Sequence, residues 1–402
     1  MQAGRMGLLK RLLTLASQGL DAATVPFRPA SRGAEELRSY YSDPNTPRSL
    51  NRLDITYALE FYSQNPRTGI RNPKTLKLNV GGGNLIGTTL GQETPLIGAF
   101  NQGSVSEGND NQIYIDLGDI AGLVQAATGS VRHNAGSDGQ YGLAGGVGIL
   151  NSGRIDMGSG TEDRIVAFAG KTGLFNSGLI QASGRSGDRL VVWGAGGQIG
   201  IDQQGRLMSR RNSDDEVIAS ALQANAEATE RQLTGLSFIP GYKSFIEALR
   251  DGLSNATTNG EQAIALNNHR KARIALKAGD DQLLAAAPEG ALALRNQGWI
   301  GLGSGDDLFT IEGSFDGDGL INFGAGENDQ LNLLPGARYR ISKASEALRK
   351  IYNTDELLYL EGLDSRAAGS LYLTGLELIG NRSVEELLSA NAGEFQFDAS
   401  NN

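Results

Sequence analysis

The sequence contains no cysteine, which excludes disulfides, thiolate metal sites and a cysteine nucleophile and leaves the redox compartment open. It has two histidines, His133 and His269, too few for a multi-histidine zinc site and poor material for a Ser-His-Asp triad. Both read as loop or surface residues. No stretch approaches the ~20 consecutive apolar residues that span a bilayer, so no transmembrane segment is expected. Positive charge is in deficit: 36 Lys and Arg against 45 Asp and Glu give a net charge of -9. That balance argues against nucleic acid or an anionic membrane as partner, since both require a basic face. In "MQAGRMGLLKRLLTLASQGLDAA" the leucines at 8, 9, 12, 13 and 15 are interrupted by Lys10 and Arg11. The stretch therefore reads as an amphipathic helix and not as the apolar core of a Sec signal.

Glycine is abundant instead: 56 of 402 residues, without the every-third spacing of collagen, which implies many tight turns. The dominant feature is a repeat. Gly148, Asn151, Gly153, Ile155, Asp163 and Ile165 recur 25 positions later as Gly173, Asn176, Gly178, Ile180, Asp188 and Leu190. An earlier copy holds Gly98, Asn101, Gly103 and Val105, "GLVQAATGSV" is a degraded one, and "GIDQQGRLMSRRNSDDEVI" follows at a spacing of 27. The glycines of "NVGGGNLIG" lack the Lys-Ser/Thr of a phosphate loop and read as a first turn of the same array.

A unit of this size cannot make its own core, but stacked units can. Recurring strands pair in parallel at ~4.8 Å, so Ile155 and Ile180 pile up inside while the Asn-Ser-Gly turns form a ladder at one corner. The expected fold class is mainly β: a parallel β-solenoid, expected to be a right-handed β-helix, in two arrays with a helical insertion and α/β caps. Asn101, Asn151, Asn176 and Asn296 read as structural, tolerating a left-handed turn and bonding the neighbouring coil.

The expected divisions are a mostly helical cap over 1–79, array 1 over 80–214, a helical hairpin over 215–258, array 2 over 259–335 and an α+β cap over 336–402. The hairpin rests on Phe245, Leu249 and Leu253 at helical spacing, divided by Pro240-Gly241. The first cap contains an aromatic cluster, Phe27, Tyr40, Tyr41, Tyr57, Phe61 and Tyr62, suited to covering open strand edges. In the last, "ISKASEALRKIY" reads as a helix, "LLYLEGL" and "SLYLTGLELIG" as strands, and Ser383 with Glu386 as a capping box.

Charge separates the two arrays. Residues 148–192 carry four acids and five bases, whereas 279–333 carry ten acids and one base. Asp281, Asp307 and Asp329 share one register, at separations of 26 and 22. One strand spacing apart, such charges repel by ~0.9 kcal/mol in water and ~3.5 at an effective dielectric of 20. In array 1, Arg164 and Arg189 follow the aspartates and are placed to screen them; array 2 has no such neighbours. A hard cation that takes 6–8 oxygen ligands, Ca²⁺ rather than Mg²⁺, is the natural compensator.

The turns "GSGDDLF", "GAGENDQL", "KAGDDQLL" and, more weakly, "GSGTEDRIV" resemble the Gly-Gly-x-Gly-x-Asp-x-aliphatic turn of the RTX (haemolysin-type calcium-binding) proteins, although here they recur every 22 to 27 residues. The resemblance implies Ca²⁺ shared between coils and folding outside the cell after export without an N-terminal signal. By matched position it implies ligands at Asp280, Asp281, Asp306, Asp307, Asp316, Asp318, Asn328 and Asp329. The expected function is that of an exported or cell-surface calcium-binding repeat protein with a structural, adhesive or matrix role, its partners being surface polysaccharide or other surface proteins. The alternative is a β-helix polysaccharide lyase or hydrolase. Against it, the strongest acidic positions lie in turns and not in strand-face pairs.

Overall fold

The computed structural model describes residues 263–398 almost without a break and most of 112–221; between 68 and 106 it describes strands only, and 1–67, 222–262 and 399–402 lie outside the description. The expected aromatic cluster, nearly all of the helical hairpin, His133 and Asp188 fall outside it.

The chain is a parallel β-solenoid with three strands per coil. One coil consists of Val147–Asn151, Arg154–Met157 and Glu162–Ala169; the next consists of Thr172–Asn176, Leu179–Ala182 and Arg189–Gly196. Equivalent strands pair coil to coil into three sheets of 9, 13 and 11 strands, and no sheet closes into a barrel. Inward positions alternate along each strand and stack in register: Ile149, Leu174, Ile201, Leu266 and Leu294 in the first sheet, and Ile155, Ile180, Leu207, Ile274, Ile300 and Ile321 in the second. All of these are inaccessible to solvent. Burying each contributes ~1.5–3 kcal/mol, which makes this aliphatic column the principal attraction between coils.

The solenoid departs from the sequence expectation in three places. Strands Thr68–Asn72 and Leu76–Lys77 already pair with the following coil, inside the stretch read as a cap. The two arrays form one unbroken stack, as an insertion at a corner allows: Ile199–Gln203 pairs directly with Ile264–Asn268 and Arg206–Ser209 with Arg273–Ala275. Residues 216–221, read as the start of the hairpin, form a strand whose Val217, Ala219 and Ala221 point inward; their period of two outweighs the helix-favouring composition that follows. Finally, the offset of 25 holds for the first two strands of the repeat but becomes 27 in the third, where Asp163 faces Leu190 and Ile165 faces Val192. The connection between the second and third strands is longer by two residues, so the partner of Asp163 is Leu190.

The expected α/β character of the C-terminal end takes the form of a reversal of strand direction. Strand Gly369–Thr374 continues the second sheet in parallel, but Leu358–Gly362, Arg338–Lys343 and Glu394–Gln396 then add antiparallel. Tyr339 is fully buried and stacks between Phe315 and Phe395, at 6.2 and 5.7 Å between ring centroids, closing the end of the core. Helix α1 (Glu346–Tyr352) is capped by Ser345, shorter than expected because "RYRISK" is strand. Helix α2 (Val384–Ser389) starts at Ser383, whose Oγ accepts from the Glu386 N–H at 3.1 Å. The Glu386 carboxylate accepts from Arg382.

Candidate functional site

Two ladders of polar side chains run along the stack. At the end of the first sheet, Asn151 Nδ2 donates to Asn176 Oδ1 at 2.8 Å, and Asn176 Nδ2 to Gln203 Oε1 at 3.0 Å. Further along, Asn268 Nδ2 donates to Asn296 Oδ1 at 2.7 Å. Asn101 occupies the same register position. The structural reading of the asparagines thus holds for the hydrogen bonds but not for the turn: among the described non-glycine residues only Lys271, Asn353 and Ala392 have positive φ. The asparagines are the last strand residues before the corner, and their amides bond the next coil.

The second ladder is acidic and lies where the chain enters the third sheet. The aspartates of its inner row are buried, and half-buried Glu377 ends it. The Asp215 N–H donates to Asp281 Oδ1 at 2.8 Å, Asp281 N–H to Asp307 Oδ1 at 2.9 Å, Asp307 N–H to Asp329 Oδ1 at 2.8 Å, and Asp329 N–H to Glu377 Oε2 at 2.9 Å. An outer, exposed row runs beside it: Asp280 N–H donates to Asp214 Oδ1 and Asp306 N–H to Asp280 Oδ1, both at 3.0 Å, and the Asn328 N–H and Nδ2 donate to the two Asp306 oxygens at 3.2 and 3.0 Å. Glycine makes this corner possible. Gly279 and Gly305 have φ of 133° and 137°, and a Cβ on Gly305 would lie 2.1 Å from the Gly279 carbonyl oxygen.

Each inner carboxylate therefore uses Oδ1 on a neighbouring amide, while Oδ2 of Asp281, Asp307 and Asp329 is buried with no hydrogen-bond partner. Desolvation is the largest effect on their acidity, with the neighbouring carboxylates adding to it. Asp281 is pushed up to about 9, Asp307 to about 7 and Asp329 to about 6. Exposed Asp306 is shifted the other way, held below the usual carboxylate range by the Asn328 side chain and the Glu327 and Asn328 amides. A dry carboxylate oxygen is stable only with a proton on it or a cation beside it. The donor set, all hard oxygens, suits a cation such as Ca²⁺.

Six of the eight residues implied as ligands, Asp280, Asp281, Asp306, Asp307, Asn328 and Asp329, meet at this corner. Asp316 and Asp318 do not: Asp316 ends a strand of the first sheet opposite Arg295, and the Asp318 carboxylate accepts from Arg270 at 2.7 Å. Among the described residues no three acidic or histidine side chains form a closed metal cage; the carboxylates lie in rows. Three members of the ladders, Asp214, Asp215 and Glu377, escaped the sequence reading. "SDDEVI" carries the same Asp-Asp-x-aliphatic signal as "GDDQLL", but 66 residues separate Asp215 from Asp281. Glu377 has no repeat around it to announce its register. The screening arginines also differ from expectation, since Arg189 faces Glu162 and pairs with Glu216 instead of standing beside Arg164.

Another buried acid with an ionisable partner is Asp202. Its Oδ1 lies 2.6 Å from His269 Nε2 and accepts from Asn267 Nδ2 at 2.9 Å. No protein-family model matches the chain, and neither the curated proteins nor the solved structures contain a match to it.

Proposed function

We propose that this chain is a calcium-binding repeat solenoid of RTX-like type, working outside the cell or at its surface as a structural or adhesive element. The observation that carries the reading is the double row of oxygens at the acidic corner: buried carboxylate oxygens without partners in the inner row, exposed carboxylates within reach of solvent in the outer one. Ca²⁺ taken up between rungs would neutralise the repulsion that the stacking of Asp281, Asp307 and Asp329 creates, with turn carbonyls completing a set of 6–8 oxygens. The same uptake would make the rigidity of the stack depend on millimolar calcium, the condition met outside cells. Binding to the native state alone stabilises that state by mass action.

Equilibrium dialysis against ⁴⁵Ca²⁺ tests this directly. The wild type should bind calcium saturably, and Asp280→Asn combined with Asp306→Asn, which removes two exposed charges while keeping the acceptors, should bind less. Absence of saturable binding by the wild type at millimolar calcium would overturn the reading.

A further inference from the structure

The corner between the first and second sheets holds two residues in the coils of Asn151, Asn176, Gln203 and Asn296, as the offsets to Arg154, Leu179, Arg206 and Trp299 show. Between Asn268 and Arg273 it holds four, His269 to Ala272. The other four-residue corner, between Gln125 and Ser130, is built of small uncharged residues, whereas this one carries His269, Arg270 and Lys271. Insertions in a repeat array project from one face and are frequently where it binds.

The loop is held in place. His269 is tied to Asp202, and Arg270 donates to Asp318 at 2.7 Å. The Ala272 N–H donates to the His269 carbonyl at 2.9 Å, and Lys271 has φ of 74°, a left-handed conformation that costs a non-glycine residue ~1–3 kcal/mol. Next to the loop, the Arg273 guanidinium sits 4.1 Å from the centre of the Trp299 ring, and that ring lies along its own strand over Gly301. A Cβ at position 301 would meet the indole at 2.0 Å, so glycine there makes room for the ring. Lys271, Ala272, Arg273, Gln297, Gly298 and Trp299 line a shallow open groove of about 370 Å³.

Three cations converge here without acid partners. Arg206, Lys271 and Arg273 form no ion pair among the described residues, unlike Arg154, Arg189 and Arg270. In a chain of net charge -9, an exposed, unpaired basic cluster is a local reversal of sign. Arg206, Arg273, Trp299, Leu320 and Tyr372 occupy successive rungs of one outward column of the second sheet, at ~4.8 Å per rung. Tyr352 and Tyr359 flank Tyr372 at ring distances of 5.3 and 5.5 Å. The column is thus a linear track that is cationic at one end and aromatic at the other.

We infer that this track binds an acidic polysaccharide lying along the solenoid axis, with the Arg273 guanidinium, backed by Trp299, and Lys271 taking sugar carboxylates. An extended uronate chain presents a carboxylate and an apolar ring face on every unit, at a repeat comparable to the rung spacing, and so matches both halves of the track. Guanidinium suits the planar carboxylate because its N–H groups can donate in pairs, and an aromatic ring behind it lowers the cost of holding it still.

The test is calorimetric titration with polygalacturonate oligomers in EGTA, so that the result is independent of the calcium reading. Saturable binding by the wild type is expected, weakened about tenfold by Arg273→Gln and by Lys271→Gln, the loss of one charge-assisted contact. Neutral dextran should give no heat. Trp299→Leu should weaken binding as well, with unfolding by circular dichroism confirming that each variant folds. Failure of the wild type to bind, variants that bind as it does, or equal affinity for single-stranded DNA would each overturn the inference.

Discussion

Asp281 and Asp307, 26 positions apart, are joined by a single buried hydrogen bond in which the Asp281 N–H donates to Asp307 Oδ1 at 2.9 Å. The bond repeats on either side, to Asp215 and to Asp329. Each aspartate is therefore an acceptor for one coil and a buried like charge for the next. The two roles separate under mutation.

Asp307→Asn keeps an acceptor at the Oδ1 position and removes the charge, so at pH 8 without divalent cation it should be at least as stable as the wild type. Asp307→Ala leaves the buried Asp281 N–H unpaired and should cost about 1–3 kcal/mol. Denaturant unfolding of both variants checks the difference; equal destabilisation would show that charge plays no part.

Acidity of the inner row sets a pH dependence of unusual sign. Burial raises Asp281 to about 9, Asp307 to about 7 and Asp329 to about 6, from an ordinary value of 3.8. Between the ordinary and the raised values the folded state holds more protons than the unfolded one, so stability is greatest at the acid end of that window and falls as pH rises. From pH 5 to pH 8, without divalent cation, Asp281 alone, which keeps its proton in the folded state over that range, should account for a loss on the order of 4 kcal/mol, or roughly 5 °C in Tm for a chain of this length, and Asp307 and Asp329 add to it. Thermal melts in EGTA across that range measure it, and a Tm that is flat or rises would contradict it.

In the amide ladder, Asn176 accepts from Asn151 and donates to Gln203 Oε1 and to the Arg206 carbonyl. Asn176→Ala should cost about 2–3 kcal/mol, since it leaves a buried amide of Asn151 without its acceptor. The loss should be insensitive to pH and calcium, which distinguishes it from changes in the acidic row.

At the acidic turn, Gly305 combines a φ of 137° with a carbonyl 2.1 Å from where a Cβ would stand. Gly305→Ala should therefore destabilise by more than ~2 kcal/mol through backbone strain and displacement of the coil below it. A change in the denaturant midpoint near zero would mean that the turn relaxes freely.

Much of this architecture was legible in the residues. Ile155 and Ile180 stack as their 25-residue spacing requires, because an inward aliphatic fixes register once the opposite face is solvent. Asp281, Asp307 and Asp329 also meet, since each follows glycine turns of the same form. What escaped depends on chain excursions, which alter separation in sequence without altering position in space. Two additional residues before Arg189 place Leu190 opposite Asp163, and the long separation in sequence between Ala221 and Ala263 hid Asp215 from the row it belongs to. Asp316 and Asp318 satisfied the same compositional signal but lie at a different corner, where strand pairing and Arg270 hold them.

On the proposed reading, the buried aspartate row is compensated by protons at low pH and by calcium as those protons are lost. The most direct test is the Tm at pH 8 followed by circular dichroism in millimolar CaCl₂, in MgCl₂ and in EGTA. A calcium-specific rise that recovers the stability seen at pH 5, and that disappears in Asp307→Asn, is the predicted result. Three coincident melting curves would contradict it.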